Sequence, residues 1–139
     1  KNVNGVIRNE EVGNMASVTS VYPVVRTKLV ELQRQLAERE NVIMDGRDIG
    51  TVVLPNANVK IYLTASSAVR AKRRYDELTA KGVDCDIKEI EQDIIERDYR
   101  DMHRETSPLK QAEDAVLLDS SDLDIDGVVA AMKKIIKEA

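Results

Sequence analysis

Apolar residues recur along this chain in two rhythms, spaced by threes and fours in some stretches and gathered into short runs in others. Between residues 10 and 20, Val12, Met15 and Val18, with Val21 next, stand in a polar background, which predicts a short amphipathic helix. Tyr22-Pro23 breaks it, and Pro23 suits the first turn of a following helix, where a missing N–H costs nothing. Over residues 24–40, Val25, Leu29, Leu32 and Leu36 predict a helix with one core-facing stripe. The run Val42-Ile43-Met44 reads as a strand buried on both faces, with a buried helix left open by pattern alone. Gly46 and Gly50 should stop a helical turn there and let the backbone turn sharply. Residues 54–58 form a turn, and residues 59–63 read as a second buried strand.

Thr64 or Ser66 can cap the next helix, whose inner stripe is Ala68, Ala71, Tyr75 and Leu78 and which Lys81-Gly82 ends. Its other side carries Arg70, Lys72, Arg73 and Arg74, a solvated face or a grip for a phosphate-rich ligand. Residues 86–105 predict a further helix. Ile87, Ile90 and Ile94 share one face, and continued rotation hands that face to Arg97, Arg100, Asp101 and Arg104. Burying guanidiniums is costly unless anions pair with them. The pattern therefore points to a ligand-facing arginine cluster, against the alternative of a structural network; Glu96, Asp98 and Glu105 flank it and could partly neutralise it. Thr106-Ser107-Pro108 ends the helix. Residues 115–119 read as a third strand with Ser120-Ser121-Asp122 as its exit turn. Asp122 or Asp124 caps a last helix with Ile125, Val128, Val129, Met132, Ile135 and Ile136 inward, and Lys133, Lys134 and Lys137 near its end favour the helix dipole.

Strands alternating with helices predict an α/β fold with a parallel sheet covered on both faces. Ligands of such sheets lie beyond the carboxyl ends of the strands. Asp45, Arg47 and Asp48 would project there, unless they form a surface ion pair at a strand end. Ser17 and Arg26 lie near the break at Pro23 and read, by themselves, as surface residues. Asn4-Gly5, between Val3 and Val6-Ile7, is a hairpin-turn signal.

Composition narrows the picture. With 139 residues the chain is one domain or part of one, and without Phe or Trp its core must be aliphatic. A net charge of −4 argues against a sequence-independent nucleic-acid binder. The apolar runs are too short to span a membrane, no signal-peptide pattern opens the chain, and a cytoplasmic protein is expected. Cys85 is alone, which excludes an internal disulfide and a cysteine zinc site.

The stretch Asp45-Gly46-Arg47-Asp48-Ile49-Gly50-Thr51-Val52-Val53-Leu54-Pro55 closely resembles the DGRDxGTVVxP signature of bacterial cytidylate kinases. Residues 60–66 with Arg70-Ala71-Lys72-Arg73-Arg74, and Glu96-Arg97-Asp98 with Arg100, Asp101 and Arg104, are similar to further family motifs. Ser107-Pro108-Leu109, residues 112–115 and residues 118–121 continue the resemblance in order, and residues 4–8 with Glu11-Val12 fit the family's nucleotide-binding insert. One departure stands out: none of the six glycines is followed by lysine, so the G-x-x-x-x-G-K-[ST] loop of P-loop kinases is missing. The expectation is a C-terminal portion of a longer kinase, without the P-loop strand of its parallel sheet, leaving two inner sheet edges, at the strand ending at Asp45 and at residues 59–63, to close up or to pair with another chain or the N-terminal segment. Residues 1–40 would be the remainder of the CMP-binding insert and its connecting helix, and residues 41–139 the C-terminal part of the core domain, with a lid about residues 73–107.

The resemblance implies transfer of the γ-phosphoryl of ATP to CMP or dCMP, with Mg2+ accompanying ATP, and no nucleic-acid or membrane partner. It implies that Asp48 accepts from the cytosine amino group, with Ser17 and Arg26 completing the base site. Arg47 would meet the CMP phosphate, Arg97 and Asp101 the sugar, and Arg104 the phosphates in flight. Arg73 and Arg100 would serve the ATP side of the lid, and Asp45 would orient magnesium-bound water without binding the metal directly. Other readings are a kinase for another nucleoside monophosphate, a domain that holds nucleotide without chemistry, and an RNA-binding helix built on Arg97, Arg100 and Arg104. Uracil carries an O4 acceptor where cytosine carries a donor, so Asp48 disfavours a UMP enzyme. The negative charge and interleaved acids disfavour RNA.

Overall fold

The computed structural model describes Ile7 and residues 10–139; the hairpin expected around Asn4-Gly5 lies outside the described residues. Helix α1 (Glu10–Thr19) and helix α2 (Pro23–Ala37) meet at a sharp corner, where Pro23 opens α2 and Tyr22 N–H closes back on the Thr19 carbonyl at 3.3 Å. A π-helical turn (Ile49–Val53) follows an irregular stretch, then strand β1 (Ile61–Thr64), helix α3 (Ser67–Ala80), helix α4 (Ile87–His103), strand β2 (Val116–Asp119) and helix α5 (Ile125–Glu138). β1 and β2 pair in parallel, Ile61 opposite Val116 through Thr64 opposite Asp119. Helices lie before, between and after them, as in an α/β fold.

The caps follow side-chain chemistry. Ser66 Oγ accepts from Val69 N–H, Asp86 from Lys88 and Glu89 N–H, and Asp124 from Gly127 N–H. The end of α3 turns through Gly82 at φ +75°, with Val83 N–H donating to the Leu78 carbonyl and Gly82 N–H to that of Thr79. α3 and α4 lie against each other, tied by Ser67 Oγ donating to Glu91 at 2.8 Å and by the Arg70–Asp98 ion pair.

Four expectations need correction. Residues 42–44 form no strand: residues 41–45 make no backbone hydrogen bond among the described residues, and Ile43 is 97% exposed. A strand exists only as part of a ladder, and among the described residues β1 pairs with β2 alone. Gly50 does not exclude helical structure; it sits inside the π-helical turn, in which Val52 and Val53 N–H both donate to the Asp48 carbonyl. Gly46 is needed for another reason, since a Cβ there would stand 2.9 Å from Ile49 Cγ1. The stripe Val25, Leu29, Leu32 and Leu36 is at least two-fifths exposed or nearly so at each position, as are Ile125, Val129 and Ile136 on α5, because no described element covers them. The sheet is likewise open, with Leu63, Val116 and Leu117 half-exposed, and the second strand starts at Ile61 rather than at residue 59. The fully buried apolar residues among those described are Val53 and Ala71.

Candidate active site

Helices α1, α2 and α4 and the segment before the π-helical turn converge on one cluster of charge. At its centre lies Asp101, 3% exposed, on the last turn of α4. Its Oδ2 accepts from Arg47 Nε at 2.9 Å, and its Oδ1 receives Ser17 Oγ at 3.4 Å and faces Arg104 Nη1 at 3.6 Å. The turn after α4 is fastened to the same residue, since Leu109 N–H donates to the Asp101 carbonyl at 2.7 Å. Arg104 Nε donates to the Ser107 carbonyl at 2.8 Å, and Ser107 takes φ +51°, a conformation held by this closed loop.

The second carboxylate, Asp48, is buried and pairs with Arg26 from α2. The corner between α1 and α2 joins the two centres. Ser20 Oγ donates to the Ser17 carbonyl at 2.8 Å, so its lone pairs are left to accept Arg104 Nη1 at 3.2 Å. The Ser20 carbonyl accepts Arg26 Nη1 at 3.4 Å. Arg97 approaches from α4 with Nη1 close along Gly13 of α1, 3.5 Å from where a Cβ would stand.

The cluster carries more positive charge than it can neutralise internally. Among the described residues Arg26, Arg47, Arg97 and Arg104, with Arg100 close by, face the carboxylates of Asp48 and Asp101, with Asp98 a weaker neighbour of Arg97, which leaves an excess of guanidinium charge. Burial lowers the pKa of Arg97 first and the neighbouring Arg47 adds to it; Arg104 is lowered by burial and then by Arg26. Buried Arg26 Nε, Arg97 Nε and Arg104 Nη2 have no hydrogen-bond partner among the described residues. Unpartnered buried donors are costly, and an incoming anion would relieve them. Beside them opens a cleft of about 180 Å3 lined by Ser17, Val18, Val21, Arg100, Asp101 and Arg104.

Of the residues singled out in the sequence, Ser17, Arg26, Arg47, Asp48, Arg97, Asp101 and Arg104 come together here, and Arg100 stands at the cleft wall. Ser17 and Arg26 are thus not the surface residues their local sequence suggested. Arg73 does not join them: its guanidinium binds the Ser120 and Leu123 carbonyls beyond β2. Asp45 is exposed and makes no hydrogen bond among the described residues. Asp98 pairs directly with Arg70, and its charge also reaches Arg97 of the cluster. Two residues escaped the sequence reading. Ser20 works through its backbone as much as its hydroxyl, and Arg34 donates to the carbonyls of Val52 and Val53; neither forms a pattern with its neighbours in sequence.

Among the described residues no three His, Cys, Asp or Glu side chains approach closely enough to cage a metal ion. Mg2+ commonly binds through one or two carboxylates together with substrate phosphates, so a lone carboxylate such as Asp45 fits only that mode. No helix of the described residues is long and apolar enough to cross a membrane.

The cytidylate kinase family model matches residues 1–138. Curated relatives named cytidylate kinase, from Streptococcus pneumoniae strain Hungary19A-6 and from serotype 19F strain G54, are each 54% identical to this chain over 127 residues. The matched region is 91% of this chain and 57% of each relative, so the chain spans little more than half their length. The order of the matched motifs and a match over nearly every residue agree: this chain belongs to the cytidylate kinase family.

Proposed function

We propose that this chain supplies the acceptor site and lid for phosphoryl transfer from ATP to CMP or dCMP, giving CDP or dCDP. The observation that carries the reading is the buried Asp101 held between Arg47 and Arg104 beside unpartnered guanidinium N–H groups. An excess of guanidinium charge suits the anionic phosphate of a nucleoside monophosphate at neutral pH. Asp48, held by Arg26, offers an acceptor to the cytosine N4 amino group, and Ser17, which donates to Asp101, would complete the base site. Arg47 and Arg104 would take the phosphate, and Arg97 and Asp101 the sugar. Arg100 would turn to the ATP side, Arg73 would hold the base of that lid, and Asp45 would act only through water. Phosphoryl transfer demands positioning and charge neutralisation more than covalent chemistry, which suits a site made of arginines and two acids. Mg2+ would arrive with ATP, and the protein would work in the cytoplasm. In this reading residues 1–40 belong to the CMP-binding insert and residues 41–139 to the core domain with its lid.

Titration calorimetry of the chain with CMP, UMP and cytidine tests this. CMP should bind, cytidine should bind more weakly for want of a phosphate, and UMP more weakly for want of an amino donor. Equal affinity for all three would overturn the reading. A second reading, nucleotide holding without transfer, draws on the missing glycine-lysine loop in the sequence. Turnover of CMP by the complete protein as expressed from its gene separates the two.

A further inference from the structure

Helix α2 meets the DGRDIGTVV segment twice. At its first turn, Arg26 pairs with the Asp48 side chain. Two turns further on, Arg34 Nε donates to the Val53 carbonyl at 2.9 Å and its Nη2 to the Val52 carbonyl at 2.6 Å. The N–H groups of those same two valines donate to the Asp48 carbonyl, at 2.8 and 3.1 Å. The contacts close a ring: from Arg34 to Val52 and Val53, from these to the Asp48 backbone, from the Asp48 side chain to Arg26, and back along the helix to Arg34. Val53 is 1% exposed, so the far side of the ring is packed.

Such a ring fixes where the Asp48 carboxylate stands relative to α2. The π-helical turn is a poor free-standing structure, and the carbonyls at its end lack partners within it. A planar guanidinium can serve two neighbouring carbonyls at once, whereas a lysine offers a single point of charge. We propose that Arg34 is a positioning residue for base selectivity: it touches no substrate, but it holds the Asp48 turn on the helix that carries Arg26. The inference rests on the functional reading above, in which Asp48 receives the cytosine amino group.

The test is kinetic and uses the complete protein as expressed from its gene, with CMP and UMP as competing acceptors. Arg34→Met should lower the CMP-over-UMP ratio of kcat/KM by about tenfold, carried by KM, with saturated turnover of CMP nearly kept. In an Asp48→Asn background the same substitution should change the ratio by less than about twofold, because the acceptor it positions is already altered. Arg34→Lys should lie between Arg34→Met and the unmodified protein. An unchanged ratio in Arg34→Met, or an equal loss in both backgrounds, overturns the inference alone. Unmodified protein indifferent between CMP and UMP overturns the functional reading and this inference with it. Should Arg34→Met fail to fold, Arg34→Lys decides: selectivity equal to that of the unmodified protein overturns the proposal.

Discussion

At the scale of single residues, the proposed reading gives each charged group of the cluster a separable task. Asp48 accepts a hydrogen bond as an anion, an interaction that contributes about 1.5–3 kcal/mol. Asp48→Ala should therefore cut kcat/KM for CMP by about one to two orders of magnitude, measured by steady-state kinetics. Unchanged CMP kinetics would remove Asp48 from the base site. Arg104→Lys keeps the charge and loses the fork that reaches Ser107 and Ser20 on one side and presents a free Nη2 on the other. Turnover should fall more than CMP affinity; the opposite pattern would make Arg104 a binding residue only. Most of this cluster was legible in the sequence, because the isoleucine face of α4 turns into arginines and the DGRD motif stands out. What residue patterns could not reveal is that Arg26 and Ser17 are drawn inward. That depends on the corner at Ser20, whose carbonyl and hydroxyl bind two arginines from elements far apart in the chain.

At the scale of elements, the helices and the two paired strands were readable, while the strand expected at residues 42–44 was not formed, for a physical reason. A helix satisfies its backbone within itself, and its ends are written in local side chains such as Ser66, Asp86 and Asp124. A strand needs a neighbour that sequence alone does not identify, so residues 42–44 have strand composition without forming one. Removing a cap should show directly. Asp86→Ala deprives Lys88 and Glu89 N–H of their acceptor at the start of α4, and should destabilise the chain by about 1 kcal/mol in urea unfolding. No change in the midpoint would mean that the first turn of α4 is frayed already. The entry to β1 gives a pH test. Lys60 holds the Asp114 carboxyl below the usual carboxylate range, so the unfolded chain takes up the proton first as pH falls. The pair supports the fold above that range and loses its effect through acid. Asp114→Asn should therefore weaken the pH dependence of stability on the acid side, measured by unfolding midpoints between neutral and mildly acid pH.

At the scale of the whole molecule, the proposed acceptor cluster is assembled while the glycine-lysine loop that cradles ATP phosphates in P-loop kinases is missing from this sequence. The 139-residue chain should accordingly bind CMP without phosphorylating it. Robust ATP-dependent turnover by material whose mass excludes a longer species would overturn that prediction. The apolar faces of α2 and α5 and the open sheet carry a thermodynamic consequence. The chain exposes 10436 Å2, against about 7,300 Å2 for a compact monomer of its mass. Unfolding heat capacity tracks the apolar surface newly exposed to water, and a compact chain of this length would show about 1.7–2.1 kcal/mol/K. A molecule whose apolar side chains are already largely wet has little left to hydrate. Its calorimetric trace should show a clearly smaller heat-capacity step, and its stability should vary only gently with temperature, without the steep dome of a well-filled core.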